Sequence, residues 1–163
     1  MITSNLNNFF TLSTSASASF IGLLFVALSV VTQKTTDTIR NTDRNLAESA
    51  YTALINIFFV SIFELIPNVN RGIMPMIMSI IGIIISVYLY IISKKDKSIL
   101  GKDIPFFLII MIIIYLLEAY YSIELIFNPK IISINYIIYI ILTLFGVSLA
   151  RSWRLMGMYQ HKK

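Results

Sequence analysis

The stretch Ile109-Ile110-Met111-Ile112-Ile113-Ile114-Tyr115-Leu116-Leu117 carries no charge and no alternation of polar and apolar positions. A strand of a membrane barrel would alternate, one face to lipid and one to the lumen, so this run reads as a helix. Outward from it, the apolar segment extends over 104–127. At about 1.5 Å of rise per residue it is long enough to cross a hydrocarbon layer of about 30 Å. Four further stretches have the same character, at 9–31, 49–66, 73–93 and 131–150. The hydrocarbon offers backbone N–H and C=O groups no water, so a chain crossing it in such segments must satisfy them within each helix. The expected fold is an all-α membrane protein of five transmembrane helices, forming one domain over residues 1–163. With 57% hydrophobic and 13% charged residues, little of the chain is left for a soluble domain.

The connections alternate in charge. Lys34, Arg40 and Arg44 precede the second stretch, and Arg71 alone lies between the second and third. Lys94, Lys95, Lys97 and Lys102 precede the fourth, Lys130 alone the fifth, and Arg151, Arg154, Lys162 and Lys163 close the chain. Eleven of the 13 bases thus fall on one side, and the positive-inside rule makes that side the cytoplasm. The amino terminus is expected outside and the carboxyl terminus inside. A net charge of +5 parcelled into membrane-flanking loops points to anionic lipid headgroups rather than nucleic acid. Residues 1–33 contain no Lys or Arg and so lack the basic start of a signal peptide, which leaves the first helix expected in the mature chain.

After the first helix the chain reads as two hairpins, a 1+2+2 plan. Each has acids in the outer part of its first helix, a Pro and Asn turn, and small residues on its returning helix: Ser79, Gly82 and Ser86 in one, Thr143, Gly146 and Ala150 in the other. Lipid tails are as apolar as Leu, so helices in a bilayer associate through close backbone approach rather than by hiding apolar surface. Ala18 and Gly22, Gly82 and Ser86, and Gly146 and Ala150 each lie four residues apart on one helix face and are the expected packing residues. At the inner surface, Trp153 between Arg151 and Arg154 reads as an interfacial anchor with snorkelling cations.

Polar residues within the spans are the candidate site. Glu118 lies nine residues before the end of its stretch, about 13 Å deep by helical rise and close to the bilayer midplane. An acid at that depth must face protein or water, and such residues are functional candidates by default. Glu64 and Glu124 sit nearer the outer surface, where Arg71 and Lys130 are available to neutralise them. Thr11, Ser15, Ser19, Gly22, Ser29 and Gln33 fall along one broad face of the first helix. In a symmetric oligomer that face would line an axial ion path, with Leu23–Ala27 as an apolar constriction. Asn56 and Asn135 read as interhelical hydrogen-bonding groups. The chain has no cysteine and one histidine, His161 in the tail, and it lacks HExxH, GxSxG and Gly-rich phosphate-binding patterns. No enzyme, cofactor or metal function is expected.

Two segments, Ala18-Ser19-Phe20-Ile21-Gly22-Leu23-Leu24-Phe25-Val26-Ala27-Leu28-Ser29 and Leu149-Ala150-Arg151-Ser152-Trp153-Arg154-Leu155-Met156-Gly157, resemble a family of small bacterial multi-pass membrane proteins of unknown function. Arg44 to Pro67 fits more loosely. Some members are labelled modulators of a membrane-bound AAA protease. The resemblance implies a bacterial cytoplasmic membrane location and supplies no active-site residues. The functional expectation is a homo-oligomeric, cation-permeable channel or pore. The alternative is a non-enzymatic accessory or regulatory subunit gripping a larger membrane protein partner.

Overall fold

A computed structural model of the chain describes residues 2–34, 41–95, 103–128 and 131–160, which form five helices: α1 (Ile2–Lys34), α2 (Asn41–Glu64), α3 (Ile73–Lys95), α4 (Asp103–Phe127) and α5 (Ile131–Gln160). Four contain a segment long and apolar enough to cross a membrane: Ser4–Val26, Ile73–Ile92, Phe107–Phe127 and Ile132–Trp153. The chain is therefore a helical protein of multi-pass membrane character. Several helices outrun the apolar stretches read from the sequence, α1 by seven residues at its start and α5 by ten at its end. Hydropathy marks where a chain enters hydrocarbon, whereas a helix continues as far as its backbone bonding is favourable.

α2 ends where the chain must turn. Glu64 is its last residue, and Leu65 and Ile66 tighten the end by donating to the carbonyls of Ile62 and Phe63 at 3.2 and 3.1 Å. Pro67 cannot continue the bonding. Asn68 then takes a left-handed conformation (φ 62°), which Asn tolerates better than most side-chain-bearing residues. The Asn70 side chain accepts a bond from the Gly72 N–H at 3.0 Å, and its carbonyl accepts from Ile73 at 3.1 Å, which starts α3.

α3 and α4 pair most extensively. α2 packs on α1, α3 and α5, and α4 packs on α3 and α5. Helices α2, α3, α4 and α5 thus close a ring, with α1 laid on the outside of α2 and touching α5 through an edge-on Phe20–Phe145 contact (centroids 6.2 Å apart). The central place of α2 explains its composition. Its buried residues include Ala47, Ala50 and Ala53, which allow close approach, and Ser49, Asn56, Ser61 and Glu64, which a lipid-facing helix would exclude.

The outside of the ring is greasier than the inside. Ile77, Ile80 and Ile84 on α3 and Ile113, Leu116 and Leu117 on α4 are exposed, whereas Ser79, Ser86, Glu118 and Ser122 of the same helices are buried. Water would reverse this arrangement, and a lipid solvent permits it. Arg40, Lys97, Lys102, Lys130, Lys162 and Lys163 lie outside the described residues.

Candidate functional site

Steps of three and four residues along α4 return to the same face, so Tyr115, Glu118 and Ser122 line the side turned into the ring. All three have no exposed surface. From the opposite corner, Asn56 of α2 donates its side-chain N–H to Glu118 Oε2 at 2.9 Å, also without exposure. α2 and α4 do not pack broadly on each other, so this bond spans the ring's diagonal. The depths agree. Asn56 lies eight residues before the end of α2 and Glu118 nine before the end of α4, about 12 and 13 Å by helical rise. The hydroxyl of Ser122 donates to the Glu118 backbone carbonyl and leaves the carboxylate itself to Asn56.

The other carboxylate oxygen, Glu118 Oε1, has no hydrogen-bond partner, nor has Asn56 Oδ1 or the Tyr115 hydroxyl. Leaving such atoms bare in a packed interior costs about 1–3 kcal/mol each. The ring of Tyr115 is held by α3: a Cβ on Gly82 would lie 2.7 Å from three of its carbons, so only glycine admits the tyrosine there. Gly72 plays the same part higher up, where a Cβ would sit 2.5 Å from the Ser122 carbonyl and 2.9 Å from the Ile126 nitrogen.

Arg151 differs from the sequence expectation. Rather than reaching into headgroups, it is only 4% exposed, and its Nε, Nη1 and Nη2 have no hydrogen-bond partner. The reason is helical phase: Ser148 and Arg151 continue the inward stripe of α5, whereas Trp153, 78% exposed, is on the outer face. At the other end Glu64 is buried and lies 3.5 Å from the Nε of half-exposed Arg71, an ion pair without hydrogen-bond geometry. Glu124 is half-buried. Tyr121, a helix neighbour of Glu118, instead stacks on Tyr136 at 4.3 Å.

The hydroxyl face of α1 stands apart from this interior. Thr11, Ser15 and Ser19 are exposed on the protomer, with Ala18 and Gly22 beside them. Thr11, Ser19 and Ser29 donate to the carbonyls four residues earlier, at 2.8, 2.9 and 2.9 Å, which satisfies them without water. Of the constriction residues, Leu24 is buried while Leu23, Phe25 and Val26 are exposed. Among the expected packing residues, Gly82 and Ser86 are buried between helices. Gly22 and Gly146 have nothing within 4 Å of a built Cβ, and Ala18 and Ala150 are exposed, so none of these four is buried between the described helices of one protomer. Sequence reasoning passed over Gly72 and the inward turn of Arg151; the steric demand of Gly72 and the phase of Arg151 with Ser148 emerge only once α3 and α5 are placed. No protein family, curated protein or solved structure matches this chain.

Proposed function

We propose that this chain is a cation-permeable protein of the bacterial cytoplasmic membrane, spanning it five times with its amino terminus outside, and that ions pass Glu118 inside the helix ring. The observation that carries this reading is the Asn56–Glu118 pair: an acid at mid-depth with one oxygen held across the ring and the other without a partner. Intramembrane acids are costly, face the bundle interior or water, and mark ion and proton pathways as a default functional reading. The α1 hydroxyls support an axial path less well, because their donors are spent on their own helix. α2 completes the fifth span in this reading. Its 24 residues reach about 36 Å, and its polar faces are covered by protein.

Homo-oligomerisation belongs to the same proposal. The exposed faces of α1 and α5 carry Ser15, Ala18, Ser19 and Gly22, and Thr143, Gly146 and Ala150. These are the small residues through which helices associate in lipid. The same faces favour a second reading, an accessory or regulatory subunit that grips another membrane protein, in keeping with the protease-modulator label of the family the chain resembles.

Purified protein in liposomes is expected to pass monovalent cations above the leak of empty vesicles, and Glu118→Gln to remove most of that flux. Flux equal to empty vesicles would falsify permeation. A monomeric chain that recovers one foreign membrane protein in stoichiometric amount selects the accessory reading.

A further inference from the structure

We propose that the ion passing Glu118 is the proton, handed on through Tyr115 toward the inner end of the ring; this rests on the permeation reading above and names its ion.

The interior leaves little place for a metal ion. Asn56, Tyr115 and Glu118 have no exposed surface, and Glu118 Oε1, Asn56 Oδ1 and the Tyr115 hydroxyl are each buried without a hydrogen-bond partner. A bound metal cation takes about six oxygens in place of its hydration shell. Among the described residues no three acidic, histidine or cysteine side chains come together to supply them. From α2 the carboxylate meets Asn56, and from α3 the pocket presents Gly82 against the tyrosine. A proton needs no shell, only a chain of oxygens that can exchange O–H bonds.

Those oxygens are present. Glu118 Oε1 and the Tyr115 hydroxyl are both buried, both without partners, and three residues apart on one helix face. Cβ atoms at that spacing lie about 5–6 Å apart, so the carboxyl and the hydroxyl spring from neighbouring positions of one face. In the transfer, the O–H bond on Glu118 breaks as a new one forms to the Tyr115 oxygen. The hydroxyl's original proton leaves in the same event to water admitted at the inner end. Rotation of the hydroxyl then resets the link, and Glu118 takes its next proton from the outer side, where Glu64 stands at the end of α2. Each transfer leaves a carboxylate on Glu118 and a hydronium at the inner end; the next proton taken up neutralises the carboxylate, so net charge is conserved and no oxidant or co-reactant is needed. Gly82 makes Tyr115 a positioning group as well as a carrier, since a side chain there would displace the ring.

The test uses the full chain in phospholipid vesicles containing a pH-sensitive dye. A potassium diffusion potential set by an ionophore drives entry, with a bulky organic cation replacing sodium. Luminal acidification above empty vesicles is expected, with sodium tracer flux at the empty-vesicle level. Glu118→Gln is expected to reduce the proton flux at least about tenfold, on the scale that removing a proton-transfer group produces. Tyr115→Phe keeps the ring on Gly82 and should also reduce it, while Glu118→Asp, which keeps the acid, should retain it. Sodium flux without proton flux would overturn the proton assignment and leave cation permeation standing. Flux of neither ion would remove both. Proton flux unchanged by both Glu118→Gln and Tyr115→Phe would overturn the route. The wild-type comparison of the two ions needs no variant to fold.

Discussion

At the residue scale, the stability of this molecule and the chemistry of its interior make separable demands. Asn56 supplies the one donor to the Glu118 side chain, so Asn56→Leu strands a buried carboxylate oxygen. We expect a loss of about 1–2 kcal/mol, the range for hydrogen bonds between membrane helices. Adding Glu118→Met to Asn56→Leu should restore much of it, because replacing both partners with apolar groups removes the stranded atom. Reversible unfolding in mixed micelles measures both. A double variant as stable as the parent yet without flux would separate the acid's functional role from a structural one. The glycines divide just as sharply. Gly82→Ala forces the Tyr115 ring from its seat and Gly72→Ala strikes backbone atoms of α4, each expected to cost about 1–3 kcal/mol. Gly146→Ala meets open space and should change protomer stability by no more than about 0.5 kcal/mol.

Among the elements, the contrast lies between the two sides of the ring. The outer faces of α3 and α4 carry Ile80, Ile84, Ile113 and Leu116, side chains suited to lipid. Those of α1 and α5 carry small and hydroxyl residues that gain little from lipid and permit backbone approach. Association, if through this side, has a direct measure, because the chain contains no cysteine to confuse it. Ala18→Cys or Ala150→Cys should cross-link between copies in membranes, and Ile84→Cys on α3 should not. Cross-links to a foreign protein from the same positions would instead support the accessory reading. The sequence located α3 and α4 closely because long runs of Ile and Leu have no other use at that density. It was less informative about α2, where Ser49, Asn56, Ser61 and Glu64 dilute the apolar signal. Those residues are tolerated because α1, α3 and α5 cover them, which composition alone does not reveal.

On the scale of the whole molecule, the proposed orientation rests on the alternation of basic loops. A membrane-impermeant thiol reagent applied to intact cells should label Asn68→Cys in the α2–α3 turn. A reporter fused after Lys163 should be active only in the cytoplasm. Labelling of Asn68→Cys only after lysis would invert the orientation and, with it, the direction in which Glu64 and Arg151 stand on the path.

The sequence by itself determined the helical class, the position of the apolar segments and the place of Glu118 nine residues before the end of its helix, because hydropathy and helical rise depend only on residue identity and order. It also marked Gly82 and Ser86 as a small face, since four-residue spacing fixes what shares a side. Only the tertiary structure decided that Asn56 meets Glu118, that Tyr115 rests on Gly82, and that Arg151 turns inward while Gly22 and Gly146 face out. The reason is physical: in lipid the apolar pattern does not say which face of a helix is inside, since lipid and protein accept Leu and Ile alike. The facing of each helix is instead set by close packing and polar pairing between residues far apart in the chain.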